Sequence, residues 1–154
     1  MPDRLRESLF NVLADQVAEK VFVDLYAGSG AVGLEALSRG AGKAIFVESD
    51  RGACRTIEEN IASLGAEGDC LLINSQVKTA SGRITGDIYF LGPPYALAEE
   101  YRRTLETLGG APPSMVIAQH ATRFKLQEQY GGLVRFRSIK HGSNSLSLYR
   151  AGEV

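Results

Sequence analysis

Apolar residues recur along this chain at two spacings, and the switches between them outline the architecture. Leu5, Leu9, Phe10 and Leu13 follow helical spacing. They predict an N-terminal helix over residues 3–17, with Asp3 placed to cap it. Val21 to Tyr26 is a short β-rich run and reads as a buried strand. A turn follows at Ala27-Gly28-Ser29-Gly30, then a helix through Val32, Leu34, Ala36 and Leu37 that stops at Gly40. Lys43 to Glu48 is a second strand, and Asp50 caps a helix whose Ala53, Ile57, Ile61 and Leu64 share one face up to Gly65. Cys70 to Asn74 is a third strand, followed by a short polar segment. Asp87 to Leu91 is a fourth strand, closed by Gly92-Pro93-Pro94-Tyr95. A helix over 98–108 and a strand over 114–119 come next, and 134–139 with 146–150 form a hairpin around Gly142-Ser143-Asn144.

Strands alternating with helices imply βαβ units, so the fold class is α/β, Rossmann-like, with helices on both faces of the sheet. The expected sheet has seven strands, mostly parallel, with a C-terminal antiparallel hairpin. The 154 residues suffice for one domain with its own core, assigned to 1–154: the short helix 3–17, then a core over 20–154. No apolar stretch is long enough to span a bilayer, and Met1-Pro2-Asp3-Arg4 has no apolar segment of a secretory signal. Two cysteines, Cys54 and Cys70, make neither a disulfide framework nor a metal site. A cytoplasmic monomer without metal or membrane partner is the expectation. Net charge is −1, but residues 1–110 carry 11 basic against 16 acidic side chains, and residues 111–154 carry 6 against 2. A basic face near the C-terminus is one outcome of this imbalance.

The chemistry begins at Gly28-Ser29-Gly30-Ala31-Val32-Gly33, a G-x-G-x-x-G pattern between a strand and a helix. Glycine tolerates positive φ and lets a ligand approach the backbone. The helix behind it directs free N–H groups at a polar ligand. Glu48, twenty residues past Gly28, ends the second strand, where a carboxylate can accept both hydroxyls of a ribose. A cofactor containing a nucleoside follows. Asp24, four residues before the first glycine, works against a pyrophosphate and suits a cation. S-adenosyl-L-methionine carries an ammonium and a sulfonium and no phosphate. Asp24 takes the ammonium, directly or through water, or else orients the glycine loop. In the Pro-Pro-Tyr turn, Pro93 and Pro94 remove two backbone donors and leave the carbonyls of Gly92 and Pro93 as acceptors. Tyr95 offers a flat face for a planar ring. Such a turn suits methylation of an exocyclic amine, where acceptors on the N–H groups draw the nitrogen toward tetrahedral geometry.

These stretches resemble the RsmD-type family of bacterial methyltransferases, which act on guanine N2 of 16S (small-subunit) ribosomal RNA. The resemblance rests on Asp3 to Asn11, Asp24 to Gly40, Phe46 to Arg51, Gly92 to Tyr95, and the tail from Lys140 to Tyr149. It implies a class I fold dependent on S-adenosyl-L-methionine. It implies a cofactor site of Asp24, Ala27, Gly28, Ser29, Gly30, Glu48 and Ser49, with Gln76 near the adenine. Gly92, Pro93, Pro94 and Tyr95 would line the target-base pocket. The implied partner is ribosomal RNA or the assembling small subunit, with Arg4, Arg6, Arg39 and Arg51 as candidate phosphate contacts. Two features depart from the family pattern. Gly92 stands where Asp or Asn precedes Pro-Pro, and losing one such acceptor typically costs about 10²–10³ in rate. The family's basic segment ahead of the residue matching Asp3 is also not seen here, so RNA binding is expected to depend on an assembled particle.

Other readings remain open from the sequence. A methyltransferase-like RNA or ribosome-assembly factor without catalysis fits Gly92. DNA adenine methylation also uses a Pro-Pro-aromatic turn. An NAD-dependent oxidoreductase shares the glycine pattern, with Asp24 and the Pro-Pro-Tyr turn against it.

Overall fold

The computed structural model describes residues 1–93 and 98–152. Helix α1 (Asp3–Leu13) ends in a 3₁₀ turn over Ala14–Val17. Strand β1 (Val21–Leu25) leads through the glycine turn into α2 (Ala31–Ser38), and β2 (Lys43–Glu48) leads into α3 (Arg51–Ser63). Strand β3 (Cys70–Asn74) is followed by a one-turn α4 (Val77–Ala80) and a 3₁₀ turn. Strand β4 (Ile88–Leu91), helix α5 (Ala98–Gly109) and strand β5 (Met115–Ala121) complete the alternation. Three antiparallel strands close the chain: β6 (Gln129–Tyr130), β7 (Leu133–His141) and β8 (Asn144–Ala151).

All of them join one sheet, in the order β3-β2-β1-β4-β5-β8-β7-β6. Strands β1 to β5 pair in parallel. Strand order reverses at β1, which pairs with β2 on one side and β4 on the other. The crevice beyond their carboxyl ends is where sheets of this type bind ligands.

The sheet has eight strands rather than the expected seven. The additional one, β6, is two residues long and pairs Gln129 with Val134 and Tyr130 with Leu133. Gly131, at φ +58°, turns the chain between them. A two-residue strand has no apolar period of its own, so only its backbone pairing reveals it. Asp3 is also placed differently. Pro2 is the cap of α1 and no side chain caps the helix, while Asp3 sits in the first turn and pairs with Arg6 at 3.3 Å. Asp50 caps α3 as expected, accepting from the Ala53 N–H at 2.8 Å.

Strand alternation assigns each apolar residue to one of two cores. Phe22, Ile88, Phe90, Ile117, Leu146 and Leu148 pack under α1 and α2, with Ala44 and Phe46 under α3. Val23, Leu25, Val47, Leu91, Val116 and Ala118 pack under α4 and α5 on the opposite face. Helix α2 lies so close to β2 that a Cβ on Gly33 would overlap the Phe46 ring. Gly33 is therefore a packing glycine that sets the height of α2 over the sheet. Gly33→Ala should lower the free energy of unfolding by about 1–3 kcal/mol through overpacking. A shift of the urea midpoint at unchanged slope would show it, and a variant as stable as the parent would contradict the packing assignment.

Candidate functional site

The site is assembled at the carboxyl ends of β1, β2, β4 and β5. The chain leaves β1 through Tyr26, whose φ of +57° is unusual for a residue with a side chain. Its hydroxyl donates to Glu100 at 2.7 Å and lies 3.0 Å from the Thr104 hydroxyl, which ties the turn to α5. Gly28 and Gly30 follow at φ +60° and +80°. The Ala27 N–H donates to the Val47 carbonyl, and the Gly30 N–H donates to the Ala27 carbonyl. The two glycines have different surroundings. A Cβ on Gly30 would press on Phe46 and Ile57, so Gly30 lies beneath the site as packing. A Cβ on Gly28 would meet nothing within 4 Å. Gly28 thus opens onto free space, as a backbone that receives a ligand must.

Glu48 joins the two loops. One carboxylate oxygen accepts the Gly28 N–H at 2.8 Å and the other accepts the Asp50 N–H at 2.9 Å. Two hollows meet at this carboxylate. The first, about 270 Å³, is lined by Tyr26, Glu48, Ser49, Gln76, Lys78 and Pro93, among others. The second, about 530 Å³, includes Asp24, Ala27, Gly28, Ser29, Glu48, Asp50, Gly92 and Gln119 in its lining. Together they fall in the size range of small-molecule sites. Glu48 and Asp50 outnumber Arg6 around the second hollow, which favours a cation over a pyrophosphate.

Asp24 is buried, at 1% exposure, and accepts the Gly33 N–H at 3.0 Å. The loop-orienting role is therefore realised in the geometry, while the carboxyl also borders the second hollow. Burial pushes its pKa up to about 8; the Gly33 N–H opposes that rise and the negative Glu48 adds to it.

The other anticipated residues separate clearly. Ser49, Gln76 and Pro93 line the first hollow, and Ala27, Ser29 and Gly92 line the second. Pro94 and Tyr95 lie outside the described residues. Of the four candidate phosphate contacts, Arg39 is already engaged: it pairs with Glu35 at 3.0 Å and its guanidinium sits 5.8 Å from the Phe10 ring centroid. Arg6 pairs with Asp3 and Glu35, whereas Arg4 and Arg51 are exposed.

Several supporting residues carried no signal in the apolar pattern. Asn60 on α3 donates to the Ser29 carbonyl at 3.0 Å. Asn74, at the end of β3, donates to the carbonyls of Glu48 and Ser49 at 3.0 and 3.1 Å. Both hold backbone that holds the site. The position of Asn74 beside Glu48 in the β2–β3 register is the one clue that strand pairing offers. Gln119, at the carboxyl end of β5, enters the second hollow beside Gly92. Among the described residues no helix is long and apolar enough to cross a membrane, and no group of three His, Cys, Asp or Glu is placed to hold a metal ion.

The chain is similar to known proteins. The profile of the family described as conserved hypothetical protein 95 matches residues 1–150. The YlbH protein of Bacillus subtilis is 30% identical over 96% of this chain and 85% of its own. The Escherichia coli K12 protein named ribosomal RNA small subunit methyltransferase D is 40% identical, over 70% of this chain and 56% of its own length. A solved structure described as a conserved hypothetical protein of Streptococcus pyogenes superimposes with a TM-score of 0.86 at 29% identity, covering 96% of this chain and 95% of that one.

The raised pKa of Asp24 has a testable sign. A carboxyl that holds its proton more tightly folded than unfolded makes stability fall as pH climbs from about 4 to about 8. Asp24→Asn keeps an acceptor for Gly33 and removes the titration. Its urea midpoint should decline less than the parent's between pH 5 and 8 and exceed it at pH 8. Parallel midpoint curves for the two proteins would contradict the assignment.

Proposed function

Because this chain belongs to the family described as conserved hypothetical protein 95, we propose that it methylates ribosomal RNA of the small subunit with S-adenosyl-L-methionine, at an exocyclic base amine and specifically guanine N2. The observation that carries this reading is the Glu48 carboxylate, fixed by the N–H groups of Gly28 and Asp50 where the two hollows meet. Support for the substrate class comes from the Escherichia coli relative, which is named as a methyltransferase of small-subunit ribosomal RNA.

The residues present fit the cofactor. Gly28 leaves open space for a ligand at its backbone, and Glu48 keeps lone pairs for two ribose hydroxyls. Gln76 and Ser49 border the hollow on the far side of Glu48, where the adenine belongs. Asp24, Ala27, Gly28 and Ser29 form the wall for the methionine end, with the packing glycine Gly30 beneath it. When bound, S-adenosyl-L-methionine supplies a methyl group on a cationic sulfur. The protein's own part is placement and electrostatics. The acidic lining draws a cation in, and Asp24 gives up its proton as a neighbouring ammonium lowers its pKa. In this reading the carbonyls of Gly92 and Pro93 serve as acceptors for the base amine. Pro94 and Tyr95 complete that pocket in this reading, as part of one domain over residues 1–154 acting as a cytoplasmic monomer.

A second reading, a factor that binds the cofactor and RNA without transferring methyl, draws on Gly92. The two separate in one assay: incubation of unmethylated small-subunit particles with protein and S-adenosyl-L-methionine, followed by mass spectrometry of the RNA. The proposal predicts one added methyl on a guanine, and unchanged RNA would contradict it. In a thermal-shift series, S-adenosylhomocysteine should raise the melting temperature and NAD should not. Glu48→Ala should weaken S-adenosylhomocysteine binding about 10- to 100-fold, the effect of losing a charge-assisted hydrogen bond. Unaltered affinity would remove Glu48 from the site.

A further inference from the structure

Gly92 deprives the pocket of a side-chain acceptor, and the neighbouring strand places one in the same volume. Strands β4 and β5 pair Phe90 with Ile117 and Leu91 with Ala118, so the next residues on the two strands are Gly92 and Gln119. Alternation fixes their face. Phe90 and Ile117 lie in the core under α1 and α2, and Leu91 and Ala118 lie in the opposite core. Gly92 and Gln119 therefore return to the Phe90 face, which also carries Asp24 one row below. A Cβ built on Gly92 would stand 3.0 Å from the Gln119 side-chain oxygen and 3.4 Å from the Phe90 ring. An Asp or Asn at 92 and Gln119 in this rotamer would contend for one space.

Gln119 is well held for the task. It lies on β5 one residue past the last pairing with β4, is paired with Leu146 of β8 across the antiparallel side, and its carbonyl accepts from the Tyr101 hydroxyl. Among the described residues its side-chain amide makes no hydrogen bond, and it is partly exposed in the hollow that also holds Asp24, Gly28 and Glu48. The adjacent His120 is committed elsewhere, with its ring nitrogens 2.8 Å from the Ser147 hydroxyl and 2.9 Å from the Ala121 carbonyl.

We propose that Gln119 is the catalytic acceptor for the target amine, its side-chain oxygen taking over from the side chain absent at Gly92. The inference rests on the methyl-transfer reading above. In the step, the amine lone pair forms the new N–CH₃ bond as the S–CH₃ bond breaks. The bonding pair stays on sulfur, leaving a neutral thioether, and the nitrogen loses one proton to solvent. Gln119 accepts one amine N–H throughout, which localises the lone pair and stabilises the positive charge growing on nitrogen.

The test compares the parent with Gln119→Met, similar in shape without an amide acceptor, and Gln119→Glu, which keeps one. Methyl transfer to small-subunit particles, S-adenosylhomocysteine affinity and melting temperature are read for each. Gln119→Met should lose about 10²–10³ in kcat, with cofactor affinity within about twofold of the parent and a normal melting transition. Gln119→Glu should keep most of the rate. Gly92→Asn should restore at least about tenfold in the Gln119→Met background. The same Gly92→Asn change should lower the melting temperature more in the parent, where it meets the Gln119 oxygen, than in Gln119→Ala. An active parent whose Gln119→Met variant is equally fast overturns the role of Gln119 alone. So does a Gly92→Asn penalty that is the same in both backgrounds. A parent that binds S-adenosylhomocysteine and transfers no methyl overturns the function and the role of Gln119 together.

Discussion

One carboxylate closes the site. Glu48 accepts N–H groups from two loops that leave adjacent parallel strands, at Gly28 after β1 and at Asp50 after β2. Each bond is charge-assisted and therefore stronger than an ordinary backbone pairing. Among the described residues Gly28, Ser29, Ser49 and Asp50 are all exposed, so the solvent side of both loops is uncovered there. Without the shared carboxylate the glycine turn and the β2 turn would be separate loops. With it, they form one rim with a negative charge at its centre.

The rim depends on a layer of polar contacts behind it. Asn60 fixes the Ser29 carbonyl, and Asn74 fixes the carbonyls of Glu48 and Ser49. Tyr26 accepts a left-handed backbone conformation, a strain that its hydroxyl contacts to Glu100 and Thr104 help offset. Asp24 adds a further cost, because a carboxyl is buried with one N–H partner and a negative neighbour. Such a group is better suited to meeting a cation than to holding the fold together. Stability has been given up at the place where the proposed cofactor's ammonium would restore it.

Much of this was legible in the sequence, for physical reasons. β2 matches its apolar run at both ends, because a strand whose interior residues are buried on both faces must be apolar there; β3 matches its run too, although it is an edge strand with no fully buried residue. Glu48 and Gly28 were legible because their spacing follows from one βαβ unit. The separate roles of the three glycines were not, since only the fold shows that Gly33 meets Phe46 while Gly28 meets open space. β6 leaves no mark in the sequence because two residues carry no period, and Asp3 does not cap α1 because Pro2 occupies the cap. Asn60, Asn74 and Gln119 act across strands or between helix and loop, contacts that linear spacing does not encode. Gln119 is the instructive case: in sequence it is a polar end to an apolar strand, and in the fold its side-chain oxygen stands where a side chain on Gly92 would reach.

The most direct measurement of the central claim is a crystal structure of the protein with S-adenosylhomocysteine. The ribose hydroxyls should lie on the Glu48 carboxylate, the adenine beside Gln76, and the amino-acid end over the Asp24 to Gly28 turn. A ligand bound elsewhere, or a crevice that stays closed by protein side chains at saturating ligand, would contradict the claim that this rim is a cofactor site.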